Sequence, residues 1–457
     1  MKGGARRLSP IICEIAPMNT PLGPLRRHYT LFLLFVVSAV SLIDRQIMGV
    51  VIEPIKQEFN ATDTQMGLLT GLAFAVVYCL FSLGMGRYAD RNNRRNLISA
   101  CCAVWSFMTL LCGMATGFWT LALARLGVAV GESGSGAASM SVIADLYRPA
   151  QRPKAISVFM LAPPIGTLLG LSVGAWITYY HGWREAFIWM AVPGLVAALL
   201  LRLTGSEPLR GHWEAMRGTA HEGQGESAWR VILDACRNGP YLSIVVAGAL
   251  LAFAGYAFGI WSSAFLVRSH GLSIKDAGAI MGLAAGPGAI IGSLSSGWLT
   301  AHLARRDVRW QLGIPIIGAL LAMPLAIASV LFPATDPWTL GSLVVPRATP
   351  FIFGMSVFGM WWMAPSYTAV AQMVAPGRRA TLIAFFNFGI MALGAGLGPL
   401  VTGMLSDALT PSLGSDALRW ALVASTGAYA LAALLLMRTL GGYARSSQAQ
   451  MTQALAG

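Results

Sequence analysis

Charge is what this chain has least of. Asp, Glu, Lys and Arg make up 11% of its 457 residues, against about 25% in soluble domains, which excludes a water-soluble globule. Acids are scarcer than bases, 19 against 32, for a net charge of +13. Such a balance can mark a nucleic-acid partner, but here the bases lie between hydrophobic runs rather than in a patch, and no nucleic acid is expected. Cysteine is limited to six, at 13, 79, 101, 102, 112 and 236. None falls in a segment expected to face outward, so no disulfide is expected, and the adjacent pair at 101–102 lacks metal-ligand spacing. The six histidines, at 28, 181, 212, 221, 270 and 302, are scattered in the N-terminal tail and loops, so no metal site is expected. A phosphate loop of the Gly-x-x-x-x-Gly-Lys-Ser/Thr type is missing, which argues against ATP as an energy source within the chain. No nucleophile–base set points to an enzyme, no cofactor is implied, and the polar, basic start does not read as a cleavable signal peptide.

Apolar residues are abundant, at 56%. Runs of about twenty recur along the chain, each long enough to cross ~30 Å of hydrocarbon. Twelve spans are read, at 30–51, 65–86, 96–115, 118–143, 155–178, 184–203, 241–267, 276–300, 311–333, 348–373, 380–404 and 418–438. The expected fold is all-α, with twelve transmembrane helices in two six-helix bundles. Of the 32 Lys and Arg, 24 fall in tails and loops on one side, six on the other, and two, Arg45 and Arg125, inside spans. By the positive-inside rule both termini are cytoplasmic, and a bacterial inner membrane is the expected location. The expected division is a tail at 1–29, bundles at 30–203 and 240–438, a cytoplasmic linker at 204–239 and a tail at 439–457. The linker segment WRVILDAC reads as a short interfacial helix.

The halves repeat. ATDTQMGLLTGLAFAVVYCLFSLGMGRYADRNNRR (61–95) aligns with LSIKDAGAIMGLAAGPGAIIGSLSSGWLTAHLARR (272–306) at one ungapped offset of 211. It pairs Gly67 with Gly278, Gly71 with Gly282, Gly86 with Gly297, Arg94 with Arg305 and Arg95 with Arg306. Two parallel copies of a six-helix unit are what a pair of rocking bundles around a midplane cavity requires.

The loop between the second and third spans reads GMGRYADRNNRR. It resembles the signature loop of the major facilitator superfamily, Gly-x-x-x-Asp-Arg-x-Gly-Arg-Arg. Gly86, Asp90, Arg91, Arg94 and Arg95 match, and Asn93 stands where the family usually has Gly. The resemblance implies a cytoplasmic gate, with Asp90 locking the bundles on that side. A positive-inside loop holding one acid would explain the arginines but not their spacing. A narrower likeness rests on LIDR in the first span, RLGVAVGESGSGAASMSVIADLY in the fourth with RPAQRPKAISVF after it, and HGWREAFIW opening the sixth. Together these resemble the spinster family, which exports lysophospholipids or sphingosine phosphate. The likeness covers most of the first half and less of the second. GESGSG replaces the common GEASYS, which leaves substrate choice open.

Two ion-forming residues interrupt the first span, in SLIDRQIMG. Groups of this kind cost roughly 2.5–3.5 kcal/mol each at bilayer depth, so Asp44 and Arg45 ask for a function. At ~1.5 Å per residue Asp44 lies about 20 Å from one side and Arg125 about 10 Å from the other, depths that nearly coincide. Glu132 is seven residues beyond Arg125 and so on the same helix face. In the superfamily that the chain resembles, spans 1, 4, 7 and 10 line the cavity. The expectation is that Asp44 and Glu132 exchange a proton. Arg45 or Arg125 then pairs with a carboxylate or with an anionic head group, for which the guanidinium fork is suited. A static ion-pair network that only fixes helix packing is the competing reading.

Spans 7 and 10 carry aromatics and hydroxyls but few charges, in GYAFGIWSSAF and FGMWWMAPSYTAVAQM. Tyr256, Trp261, Trp361, Trp362 and Tyr367 are candidates for an aromatic wall, each with packing or lipid contact as its alternative. Asn387 is a polar residue inside span 11, with an interhelical hydrogen bond as the alternative. Gly166, Gly170 and Gly174 in span 5, and Gly394 and Gly398 in span 11, recur at four-residue spacing and are read as close-packing positions. The expected function is secondary active transport, proton-coupled, of an amphipathic lysophospholipid- or sphingolipid-like substrate by alternating access. The expected partners are that substrate, protons and membrane lipids, with the protein a monomer. The alternatives are an organic-anion or drug transporter of the same superfamily, a lipid-modifying membrane enzyme, and a lipid sensor that does not translocate.

Overall fold

The computed structural model describes residues 23–211, 228–374 and 378–456. The first half consists of α1 (Pro24–Phe59), α2 (Asp63–Arg91), α3 (Arg94–Gly113), α4 (Phe118–Glu132), α5 (Ser135–Leu146), α6 (Arg152–His181) and α7 (Trp183–Thr204). After a short helix, α8 (Ala228–Cys236), the second half runs through α9 (Gly239–His270), α10 (Ile274–Leu303) and α11 (Trp310–Leu331). It continues with α12 (Thr349–Gly359), α13 (Met363–Gln372), α14 (Arg379–Gly389), α15 (Leu397–Leu413) and α16 (Ala417–Ala456). Twelve membrane crossings result. The fourth is broken into α4 and α5, the tenth into α12 and α13, and the eleventh joins α14 to α15 through a wider π turn at Ile390–Ala395.

The sequence repeat is a geometric repeat. α1 ends at Asn60 in the left-handed region, φ 50°, a conformation that Asn and Gly tolerate best. Thr62 then caps α2 in a capping box, receiving Gln65 N at 3.1 Å while its own N donates to Gln65 Oε1 at 2.9 Å. At the same offset of 211 the second half places Gly271, φ 64°, at the end of α9, and Ser273 as the cap of α10, accepting from Asp276 N at 3.1 Å. The same turn thus redirects the chain at corresponding points of both halves.

Glycines set where helices touch. In α6, a Cβ at Gly166 would lie 2.6 Å from Ala39 O, and one at Gly170 3.0 Å from Ile43 Cα, so this stripe seats α6 against α1. In the second half Gly394 and Gly398 do the same against α9, facing Ala252 and Phe253. The repeat glycines serve a different contact, between halves. Gly67 and Gly71 of α2 lie against Pro399 and Gly396 beside the π turn, and Gly278 and Gly282 of α10 lie against Leu171 and Leu168 of α6. Each approach is closer than any side chain allows. These two seams, α2 with α15 and α6 with α10, hold the halves together over one side of the molecule. Toward the other side these helices show no such seam: a Cβ at Gly84, Gly86 or Gly297 would meet nothing within 4 Å.

One feature differs from the sequence reading. The loop after α11 forms a small antiparallel hairpin, β1 (Trp338–Leu340) with β2 (Leu343–Val345), turned at Gly341, φ 63°. The helix α16 runs on to Ala456, through the segment read as the C-terminal tail. We call the side carrying Pro24, Arg94 and Thr204 the linker end, and the side carrying Asn60, Gly271 and the hairpin the far end.

Candidate functional site

Three of the four charged residues singled out in the first half are fully buried. Asp44 is 0% exposed, Glu132 1% and Arg125 2%. Only Arg45 is partly open, its side chain 23% exposed. The 100° step between neighbouring helix positions explains the division. Asp44 turns into the first bundle, where Thr109 of α3 donates to its Oδ2 at 3.2 Å and Arg125 Nη1 reaches its backbone carbonyl at 3.3 Å. Arg45 turns the other way and donates from Nε to Glu132 Oε2 at 2.6 Å. Asp44 therefore sits one layer behind Arg45, and the ion pair that forms is Arg45–Glu132.

The pair is backed by rings. The Arg45 guanidinium lies 5.2 Å from the Phe74 ring centre and 5.1 Å from that of Tyr78, and Arg125 lies 5.5 Å from Phe74. Phe74 thus stands between two cations, favourable for a ring that offers its negative face. One oxygen of each carboxylate, Asp44 Oδ1 and Glu132 Oε1, and the Nε of Arg125 are buried with no hydrogen-bond partner. Buried polar groups are nearly always satisfied. These unmet atoms set the cluster apart from an ordinary packed core.

The candidates in the second half divide into two groups. Tyr256 is within electrostatic reach of both Arg45 and Tyr367. The Tyr367 hydroxyl donates to Asn387 Oδ1, and its ring meets Phe386 edge-on at 5.1 Å. Tyr367 and Asn387 are brought into direct contact. The tryptophans are placed elsewhere. Trp261 is fully buried and donates to Pro399 O at 2.9 Å, fixing α9 to α15. Trp361 donates to Ser295 Oγ at 3.0 Å and packs edge-on with Phe358 at 5.0 Å. Trp362 is buried in the core of the second half.

At the linker end, Arg94 is buried and ties three segments together. It donates to Asp145 at 2.5 Å, Ser141 at 2.8 Å, Glu207 at 2.9 Å and Pro208 O at 3.0 Å. Arg95 donates from its backbone N to Glu207 at 2.7 Å and from its side chain to Gly205 O at 3.0 Å. The five signature-loop residues therefore divide. Arg94 and Arg95 bind the start of the linker, while Asp90 and Arg91 are exposed and Gly86 has open space beside it.

A second charged cluster, not foreseen from the sequence, closes the far end. Arg268 of α9 donates to Asp63 Oδ2 at 2.7 Å and Oδ1 at 2.8 Å, and to Glu53 at 2.6 Å. Asp63 also accepts from Lys56 at 2.5 Å and from Ser406 Oγ at 2.6 Å. Asp407 of α15 caps the first turn of α2, accepting from Asp63 N at 3.0 Å and Thr64 N at 2.7 Å. Six hydrogen bonds thus cross between the halves here. Glu53, Lys56, Asp63 and Arg268 lie within two turns of a helix end, where a charge reads as ordinary solvation, and Asp407, inside α15, lies beyond the span read at 380–404. The one available signal was Thr62–Gln65, the capping box that orients Asp63.

With that geometry in view, the comparisons with known proteins are specific. The model of the Major Facilitator Superfamily matches residues 34–399. An MFS-type efflux pump of Mycolicibacterium smegmatis is 34% identical over 402 residues, covering 88% of this chain and 89% of that protein. Protein spinster homolog 1 of Homo sapiens is 30% identical over 405 residues, 85% and 75% of the two chains. The sphingosine-1-phosphate transporter SPNS2 of Danio rerio is 28% identical over 428 residues, 89% and 80%. Among solved structures, a bacterial homolog of the human lysosomal transporter Spinster, inward-facing and unoccupied, superposes with a TM-score of 0.81 at 27% identity, covering 93% of this chain and 99% of that one. The occupied, inward-facing form of such a homolog gives 0.75, covering 93% and 98%.

Proposed function

This chain belongs to the major facilitator superfamily, as a transporter related to spinster proteins and efflux pumps, and from that premise we propose that it is a proton-coupled carrier of an amphipathic, lysolipid-like substrate. The observation that carries the reading is the Arg45–Glu132 pair at 2.6 Å, one helix layer in front of a buried Asp44 whose Oδ1 has no partner. A guanidinium held by one carboxylate can be released to a substrate phosphate when that carboxylate takes a proton. Asp44, within electrostatic reach of both Glu132 and Arg125, is the second proton site. The wall formed by Tyr256, Tyr367 and Asn387 suits an apolar chain beneath a polar head.

In this reading the bundles at 30–203 and 240–438 rock about the glycine seams, with the linker at 204–239 between them. Both termini are cytoplasmic in a bacterial inner membrane, and the protein acts as a monomer. The far end, closed by Arg268, then faces outward, and the conformation is inward-open. Asp90 and Arg91 are free to meet the second half when the linker end shuts. A second reading, efflux of an amphipathic drug-like compound, is favoured by the relative at 34% identity over 88% of the chain. Proteoliposome uptake of lysophospholipids, small carboxylates and hydrophobic dyes, with and without a pH gradient, separates the two. Gradient-dependent lysolipid flux supports the proposal. Flux of dyes alone supports efflux, and gradient-independent flux removes proton coupling.

A further inference from the structure

The helix α8 takes no part in the clusters described above. Only Arg237 and Asn238 separate it from α9, which starts its crossing at Gly239. It therefore lies at the level where the chain enters the bilayer on the linker side, and it packs against α9 and α14.

At 100° per residue its side chains fall into three sectors. Val231 is buried in the core, and Ile232 and Ala235 pack against that core. Trp229 and Leu233, one turn apart, form the second sector and are 66% and 46% exposed. Arg230, Asp234 and, just past the helix, Arg237 form the third, and all are exposed. Large apolar side chains left open to water are unfavourable. A bilayer boundary satisfies both outer sectors at once, the apolar one against acyl chains and the charged one among head groups. Trp favours that depth. The apolar surface continues onto the first turns of α9, where Leu242 and Val246 are exposed.

The charge beside this apolar sector is of one sign. In the described stretches 228–237 and 378–389 the charged residues are Arg230, Arg237, Arg378 and Arg379 against the single acid Asp234. Asp234 lies 3.7 Å from Arg237 Nη1 and 3.8 Å from Arg378 Nη1, longer than hydrogen bonds. Exposed pairs of this kind contribute little, so Arg237 can turn to a second anion without a large loss. A phosphate complements four guanidinium groups set against one carboxylate.

We propose that α8 is a docking site for an anionic phospholipid of the leaflet on the linker side. The lipid phosphate lies on Arg230 and Arg237, and its acyl chains run along Trp229, Leu233 and the exposed start of α9. The site is separate from the central cluster and stands whether or not the proton-coupled reading holds.

The test is native mass spectrometry of the full-length protein in mild detergent, titrated with phosphatidylglycerol or with phosphatidylcholine of the same acyl chains. The wild type prefers phosphatidylglycerol by about ten-fold or more, the size expected for two basic residues near an anionic surface. Arg230→Gln combined with Arg237→Gln, both at exposed positions, removes most of that preference without changing thermal unfolding. Arg305→Gln combined with Arg306→Gln, an equal loss of charge at exposed positions beyond α10, leaves most of it in place. Trp229→Ser combined with Leu233→Ser weakens both lipids. Glycerol 1-phosphate does not displace the lipid. The proposal is overturned by equal binding of the two lipids to the wild type, by binding of neither, or by a preference unchanged in the Arg230 and Arg237 variant. An equal loss in the Arg305 and Arg306 variant also overturns it, as does displacement by glycerol 1-phosphate, which assigns the patch to a soluble anion.

Discussion

Arg268 and Asp63, on opposite halves of the molecule, form a two-pronged ion pair at 2.7 and 2.8 Å. It lies in a site where Asp63 is 1% exposed. This is the clasp of the far end. Arg268→Ala leaves Asp63 and Glu53 without their shared cation, and removing one partner of a buried pair costs about 3–5 kcal/mol. The loss falls on the conformation in which the far end is closed. Spin labels on cysteines introduced at Gln57 and Ser412, both exposed, are therefore expected to report longer distances in Arg268→Ala. Arg268→Lys, which keeps the charge but not the fork, should fall between. Unchanged distances in Arg268→Ala would remove the clasp assignment.

How much of this was legible beforehand depended on whether the information was local. Apolar runs and alternating basic loops gave the twelve crossings because bilayer thickness acts on each span separately. The repeat at offset 211 was visible as paired glycines, and two of those pairs, Gly67 with Gly278 and Gly71 with Gly282, proved to lie at the seams between halves. The charges at 44, 45, 125 and 132 stood out because they interrupt apolar helices. Their layering did not, since it depends on how α1 is rotated against α3 and α4. The clasp was hidden because Glu53 and Asp63 of the first half meet Arg268 and Asp407 of the second, far away in sequence. The hairpin at 338–345 was hidden because its strands are three residues long.

Glycines at the seams and at the open end should report opposite states. A side chain at Gly71 would strike Gly396 O at 2.5 Å, whereas one at Gly86 meets nothing within 4 Å. Gly71→Val is expected to disfavour the far-closed conformation, lengthening the Gln57–Ser412 distance. Gly86→Val leaves that distance unchanged and instead slows turnover by obstructing closure of the linker end. The same shift for both variants would contradict the seam assignment.

The signature loop divides into a structural and a moving part, and stability measurements can separate them. Arg94 is buried among Asp145, Glu207 and Pro208, so Arg94→Ala is expected to cost about 3–5 kcal/mol. Glu207→Ala destabilises through the same contacts. Asp90 is exposed, and Asp90→Ala should change stability by less than about 0.5 kcal/mol while reducing transport. Thermal unfolding in detergent, read beside proteoliposome flux, makes the comparison.

Arg45 and Glu132 should behave as a coupled unit rather than as two independent charges. Glu132→Gln frees Arg45 to bind an anion without displacing a carboxylate. It is expected to tighten binding of a lysophospholipid phosphate and to flatten the pH dependence of that binding. Arg45→Ala weakens binding by roughly 1.5–3 kcal/mol, the range for a hydrogen bond to a charged group. In the double variant the two effects do not add, as expected for residues in contact.

The central claim is that a buried acid carries the proton that moves with the substrate. Weakly buffered proteoliposomes containing a pH indicator, given a lysophospholipid that the wild type carries, measure it directly. Wild-type protein should move protons in step with the lipid. Asp44→Asn should move none while still exchanging lipid between the two sides at equilibrium. Proton movement in Asp44→Asn equal to that of the wild type would contradict the account.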